Sequence, residues 1–302
     1  MGLDHRRLMS WPFKDVVHRY EDKDTMLYAL SLGLGSDPTD VRQLQFVYEQ
    51  GLKAFPTMPI VLGMTDLGFL ADRDVGIDLS KMLHGESGLL IHSQLPPRGA
   101  VISRMRLVDL VDKGAQKGAL LYFERRIRDA ADDRPLATER GCFVLRGNGG
   151  FSSEIGASAP PRMMPNRPAD RFCELRSLPQ SALLYRLSGD RNPLHVDPAI
   201  ARTGGFERPI LHGSCTYGIA GHALLQILCD HDPSRLLRME VRFTAPVLPG
   251  ETIRTEVWMD TARSAQFRCS VIERNRVVLD NGYAEFANAP VVETALAMPV
   301  SH

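Results

Sequence analysis

Three short segments of this chain recur once each, in the same order and at nearly the same spacing. That pattern limits the fold to two versions of one plan. Tyr28-Ala29-Leu30-Ser31 answers Tyr185-Arg186-Leu187-Ser188, 157 residues on. Phe55 with Ile60-Val61-Leu62-Gly63 answers Phe206 with Ile210-Leu211-His212-Gly213, 150 residues on, and a Leu-Pro before Gly99 answers Leu248-Pro249-Gly250 at an offset of 151. Any one match could arise by chance; three in order point to a duplicated ancestor. Between the copies, residues 151–170 are dense in Pro, Ser, Ala and Gly without apolar periodicity, which predicts a linker. The expected organisation is a first unit over 1–150, the linker, and a second unit over 171–302.

A length of 302 residues suits two domains of this size. The 36 basic and 36 acidic side chains cancel, which argues against a chain built to coat nucleic acid or an anionic membrane. No apolar run approaches the ~18 residues a membrane span needs. The start, MGLDHRRLMSWPFKD, lacks the apolar stretch of a secretory signal, Arg6 stands where a myristoylation motif has Ser or Thr, and the terminal VSH is not a peroxisomal tripeptide. Five singly scattered cysteines read as free thiols in a reducing compartment rather than disulfides or metal ligands, so the expected location is cytoplasmic.

In the second unit, Ile219, Ala220, Ala223, Leu224, Ile227 and Leu228 recur at helical spacing, predicting a buried helix over Gly213–Cys229. Gly218 and Gly221 would let a neighbour approach its backbone closely. Four strand-like runs follow: Met239 to Ala245 in strict alternation, then Ile253–Trp258, Phe267–Ile272 and Val277–Phe286, with a hairpin turn near Glu273–Arg276. The first unit is expected to repeat the plan, with strands near Val101–Val111, Ala119–Ile127 and Arg140–Leu145. The predicted class is α+β, two helix-in-sheet units side by side.

The densest chemistry lies in Tyr185-Arg186-Leu187-Ser188-Gly189-Asp190-Arg191-Asn192-Pro193-Leu194-His195. Gly-Asp and Asn-Pro are turn chemistry, which bends the backbone enough to aim Asp190, Asn192 and His195 into one space. A carboxylate and an imidazole together exchange protons near neutral pH, and Asn192 can orient a water without titrating. Taken alone, Asp190 could equally cap the short helix that follows, with His195 a half-buried structural histidine. The first unit bears on this choice. At the matching place it has Leu32-Gly33-Leu34-Gly35-Ser36-Asp37-Pro38, with no histidine, the pattern of a pseudo-dimer that keeps one active site. A second signal is His212-Gly213-Ser214 at the start of the buried helix, where free N–H groups suit an oxyanion; a glycine needed only for tight packing would look the same.

YRLSGDRNPLHVDPAIA followed by FERPILHG resembles the hydratase motif of MaoC-like proteins, the (R)-specific enoyl-CoA hydratases. With YALSLGLG, FVYE, FPTMPIVLG, LHGE, VDKG and GNGGF in the first unit, the chain is similar over both halves to the two-domain type 2 enoyl-CoA hydratases, including that module of peroxisomal multifunctional enzyme type 2. The resemblance implies a double hot-dog fold. It implies Asp190 and His195 as the catalytic pair, with Asn192 beside them and the Gly213 N–H as donor to the thioester carbonyl. It also implies a binding surface of His84 and Gly85, Lys113, Arg191, Pro193 and Leu194, and Phe243. The activity implied is hydration of a trans-2-enoyl-CoA to the (3R)-3-hydroxyacyl-CoA and the reverse dehydration, with the first unit making room for the acyl chain. CoA thioester is then the substrate; no cofactor and no metal is expected, nor a nucleic-acid or membrane partner, and the double hot-dog could pair again as a homodimer. Rival expectations are a MaoC-like hydratase of branched or dicarboxylic thioesters such as mesaconyl-CoA, and a non-catalytic acyl-CoA-binding protein.

Overall fold

The computed structural model of the chain describes residues 3–64, 67–152, 156–157 and 160–288. The terminal VSH and part of the expected linker lie outside them. Helix α1 (His5–Met9), strand β1 (Val16–Tyr20) and helices α2 (Asp22–Ser31), α3 (Val41–Leu44) and α4 (Gly68–Ala71) precede strands β2 (Met82–Ile91), β3 (Gly99–Asp112), β4 (Ala119–Asp129) and β5 (Pro135–Leu145). The second unit runs through β6 (Arg171–Arg176), α5 (Ser181–Tyr185), α6 (Pro198–Thr203) and α7 (Gly213–Cys229). It then adds β7 (Leu236–Phe243), β8 (Thr252–Thr261), β9 (Ser264–Val271) and β10 (Arg276–Phe286).

The strands form one antiparallel sheet in the order β1-β3-β4-β5-β2-β7-β10-β9-β8-β6. The second half is the first half reversed, as a duplicated unit paired with itself requires. The seam is β2 against β7, in register from Glu86 opposite Arg242 to Leu90 opposite Arg238. Alternation sends Ser87, Leu89, Met239 and Val241 into the core, and Glu86, Arg238, Glu240 and Arg242 to the other face. The architecture is α+β, a double hot-dog.

Helix α7 is apolar nearly all round and is buried nearly all round, the two going together. The glycines of its face are where the other unit touches it. A Cβ on Gly218 would lie 2.5 Å from Leu32 Cδ2, and one on Gly221 2.9 Å from Thr57 Cγ2. Tyr28 and Tyr185, counterparts in the repeat, face each other across the units with ring centroids 5.9 Å apart.

The expected repeat of this helix in the first unit is not found among the described residues. After Gly63, the counterpart of Gly213, the described residues make only the four-residue α4 and a 3-10 turn over Leu79–Lys81 before β2. The segment carries Asp72, Asp74 and Asp78 with Gly68 and Gly76, so it has no apolar surface continuous enough to bury a long helix. Instead Phe69, Leu70 and Val75 pack with Leu8, Phe123 and Leu145 in a separate cluster, flanked by Trp11 and Phe13.

The described residues of the stretch expected to link the units lie along the face of the sheet away from α7. Lys113 Nζ donates to Gly156 O at 2.9 Å, Asn281 Nδ2 to Arg162 O at 2.6 Å and Trp258 Nε1 to Arg167 O at 2.9 Å. The Arg162 guanidinium stacks 4.0 Å over the Tyr283 ring. No helix among the described residues is long and apolar enough to cross a membrane.

Candidate active site

The polar loop begins where α5 tightens into a 3-10 turn over Arg186–Ser188, and Gly189 reverses the chain at φ 131°, a conformation side chains disfavour. Asp190 Oδ1 then accepts from Asn192 N at 3.1 Å, and Asn192 Oδ1 caps the next turn, Pro193–His195, by accepting from Leu194 N at 3.0 Å. The cap of that turn is therefore Asn192, and the Asp190 carboxylate keeps its second oxygen for a ligand.

His195 is buried, with Nδ1 2.9 Å from Ile210 O. A carbonyl only accepts, so the proton sits on Nδ1 and Nε2 carries the lone pair. Beneath it lies His212, whose ring stacks on that of His195 at 3.7 Å and 28°. His212 Nε2 donates to the backbone oxygen of Asp190 at 3.1 Å, leaving Nδ1 as a buried lone pair, and its far face meets the Tyr185 ring at 5.1 Å. Burial disfavours the charged imidazole at both. It lowers His195 from its ordinary value, while the Ile210 carbonyl and Asp190 oppose it. It lowers His212 to about 4, with the neighbouring His195 adding in the same direction. Both rings are neutral at pH 7.

Gly213, one residue on, opens α7, where the first turn's N–H groups have no partner within the helix. The Phe243 ring lies against it, 3.3 Å from where a Cβ would stand. On the far side of the seam His84 packs 4.8 Å from Phe243 and 5.7 Å from Phe143. Its Nε2 is buried without a partner, and burial lowers its pKa against the charges of Glu139 and Asp190. Gly85 sits at a register break in β2, where a Cβ would lie 2.7 Å from Val144. The structure thus brings together Asp190, Asn192, His195, Gly213, Phe243, His84 and Gly85. Leu194 turns inward beside Gly204, while Arg191 and Pro193 are exposed on the loop. Lys113 is not brought to the loop: it lies in the β3–β4 hairpin, with β4 and β5 between it and β2, and its ammonium is engaged by Gly156 O. His212 and Tyr185 were not among the expected site residues. Comparing the halves would have found His212, because its counterpart is Leu62.

Ligand atoms of Asp190, His195 and His212 lie within 4.8 Å of one another, close enough to share an ion. The stacked rings make that a poor fit. In-plane lone pairs on nearly parallel rings 3.7 Å apart run side by side rather than converging on one point. A bound water, which approaches each lone pair with its own hydrogen, suits the arrangement better. On the opposite face of the sheet is a groove of about 850 Å³, lined by Arg106, Arg140 and Arg242. These are already paired with Glu124 and Glu86, which leaves little charge for an anion.

Residues 18–147 match the MFE-2 hydratase 2 N-terminal domain, and residues 158–281 the MaoC like domain. The chain is 36% identical to a probable enoyl-CoA hydratase 2 of Dictyostelium discoideum, over 94% of this chain and 97% of that protein. It is also 36% identical to the peroxisomal enoyl-CoA hydratase 2 of Arabidopsis thaliana, over 92% and 94%. The crystal structure of a MaoC-like dehydratase from Phytophthora capsici superposes with a TM-score of 0.82 at 30% identity, covering 95% of this chain and all (100%) of that one. The chain belongs to the two-domain enoyl-CoA hydratase 2 family, an MFE-2 hydratase 2 N-terminal domain joined to a MaoC-like domain.

Proposed function

We propose that this protein is a hydro-lyase that adds water to trans-2-enoyl-CoA to give (3R)-3-hydroxyacyl-CoA, and catalyses the reverse dehydration. The observation that carries the reading is one constellation: the Asp190 carboxylate and the neutral His195 Nε2 beside the N-terminus of α7 at Gly213. The thioester oxygen would sit on the Gly213 N–H and gain charge as C3 is attacked; one such donor is commonly worth ~3–4 kcal/mol. Asp190 and His195 hold the water. Its hydroxide goes to C3, its proton passes to the pair, and the pair returns a proton to C2, so the hydration balances without a cofactor. His84 and Phe243 line the seam over which the thioester would lie, and the first unit, with no long helix after Gly63 among its described residues, gives the acyl chain its room. Lys113, Arg191, Pro193 and Leu194 complete the proposed binding surface, Lys113 only if its bond to Gly156 O is exchanged for the ligand.

The test follows loss of enoyl conjugation on short and medium trans-2-enoyl-CoA, with chiral analysis of the product. Formation of the (R)-alcohol supports the proposal, whereas the (S)-alcohol, or no turnover on any linear substrate, rejects it. Two finer points belong to the same proposal. Self-association of the double hot-dog is favoured by exposed Val17 and Phe172 on the two edge strands, and light scattering decides it. Cytoplasmic placement is favoured by five buried, unpaired cysteines, and fractionation decides it.

A further inference from the structure

Of the three groups whose ligand atoms meet at the loop, His212 has no part in the proton transfers above. It is nevertheless the most constrained. Its ring is held between Tyr185 and His195, and its Nε2–H ends on the backbone of Asp190. One side chain therefore touches both halves of the acid–base pair, the ring of one and the main chain of the other. It stands at the N-cap of α7, a helix buried on nearly every side, so what it touches is referred to a packed frame. In the first unit, whose loop has no histidine, the same place is Leu62.

We propose that His212 is a positioning residue of the hydration site, backing the His195 ring and tying the Asp190 carbonyl so that carboxylate and imidazole keep one mutual geometry. The inference rests on the hydratase reading for its kinetic consequence but not for its structural one. The charged groups that bear on the pair are Asp190 and, on the His212 side, Arg186. Loss of the His212 ring would open one face of His195 to water and let its pKa return toward the ordinary 6.5.

The experiment compares His212→Leu, which removes both contacts, with His212→Phe, which keeps the stack and removes the bond. Steady-state hydration and an NMR titration of His195 are measured on the full chain. For His212→Leu the expected result is a kcat lowered about 10²-fold, the scale of a small misplacement of reacting groups, with KM little changed and the His195 titration moved upward. His212→Phe should recover about tenfold of that loss and hold the titration near the wild-type position. Wild-type kcat in His212→Leu overturns the proposal. So does an equal loss in both variants with an unmoved His195 titration, the mark of a general packing defect. If the wild-type protein fails to hydrate enoyl-CoA, the functional reading falls, and the titration of His195 in the two variants still decides this one.

Discussion

The turn Pro59–Gly63 and its counterpart Pro209–Gly213 have to satisfy the same backbone carbonyls, and the two units do so with different side chains. In the first unit Arg125, buried in β4 against Glu139 at 2.6 Å, reaches up from the sheet. It donates to Pro59 O at 3.1 Å, Ile60 O at 2.8 Å, Gly63 O at 3.2 Å and also Leu62 O. In the second unit the equivalent of Ile60 O is Ile210 O, and it is met by His195 Nδ1 from the loop above. A guanidinium from below does not call on the loop, and the first unit's loop is indeed exposed around Asp37, whose carboxylate accepts from Thr39 N and Oγ1 within the same turn. An imidazole from above ties the loop to that turn, and the same bond fixes which ring nitrogen keeps its lone pair toward the Asp190 side.

The largest effect should separate the two loops. Asp190→Asn and His195→Gln are each expected to lower kcat by ~10²–10⁴-fold while CoA thioester affinity persists. Asp37→Asn, the matching change in the first unit, should leave kcat unaltered. Near-normal turnover in either second-unit variant would remove the catalytic assignment. In wild type the hydration rate should fall on acidification as His195 takes a proton, with a midpoint below 6.5 because burial lowers its pKa. A midpoint above that value would show that the neutral Nε2 is not the group required.

Arg125→Met tests the other half of the comparison. It strands Glu139 as an unpaired buried charge, a loss commonly worth about 3–5 kcal/mol, read as a lowered urea midpoint. The active loop, held by its own device, should retain its chemistry in whatever fraction stays folded. Equal stability of the variant would mean that the turn does not depend on Arg125.

What could be foreseen from the sequence divides along physical lines. Helix α7 was legible to the residue because an all-round apolar stretch between Gly213 and Asp232-Pro233 has one way to be buried, and the alternating strands β7 to β10 were legible for the same reason. The edge strands β1 and β6 were missed: Val16–Tyr20 and Arg171–Arg176 bury one face only and carry charge on the other. Strand β2 was hidden by Gly85 and Gly88, whose role is a register break and close contact with β5 and β7. In the site, the loop announced itself because its polar groups are adjacent in sequence. The part played by His212 depends on stacking across 17 residues, which no local pattern encodes. The position of Lys113 likewise depends on where residues after β5 cross the sheet.

The contact between the units gives a smaller, packing-sized effect. Gly218→Ala would place a methyl 2.5 Å from Leu32 Cδ2, so the leucine must move, at an expected cost of about 1–3 kcal/mol. Leu32→Ala in the same chain should recover part of it, which chemical denaturation of the single and double variants measures. Simple additivity of the two changes would mean that α7 and the first unit do not meet there.

Acid should loosen the contact between the units gradually, one pH unit at a time. His222, in the middle of α7, is buried between the units near Phe55, and burial lowers its pKa to about 4. Between pH 6.5 and 4 the unfolded chain binds a proton at this position that the folded chain refuses. Stability is therefore complete above 6.5 and falls as pH drops, by about 1.4 kcal/mol per unit for this one group. His222→Leu should remove one proton's worth of that slope, seen by comparing urea midpoints of variant and wild type across the window. Hydrogen exchange at pH 5 should show the added opening in α7 and in the α2 region packed on it, and not in β3 and β4 of the first unit. An unchanged slope in His222→Leu would place the acid sensitivity at the loop histidines instead, and the two units would then differ in acid through the candidate active site rather than through α7, which has no long counterpart among the described residues of the first unit.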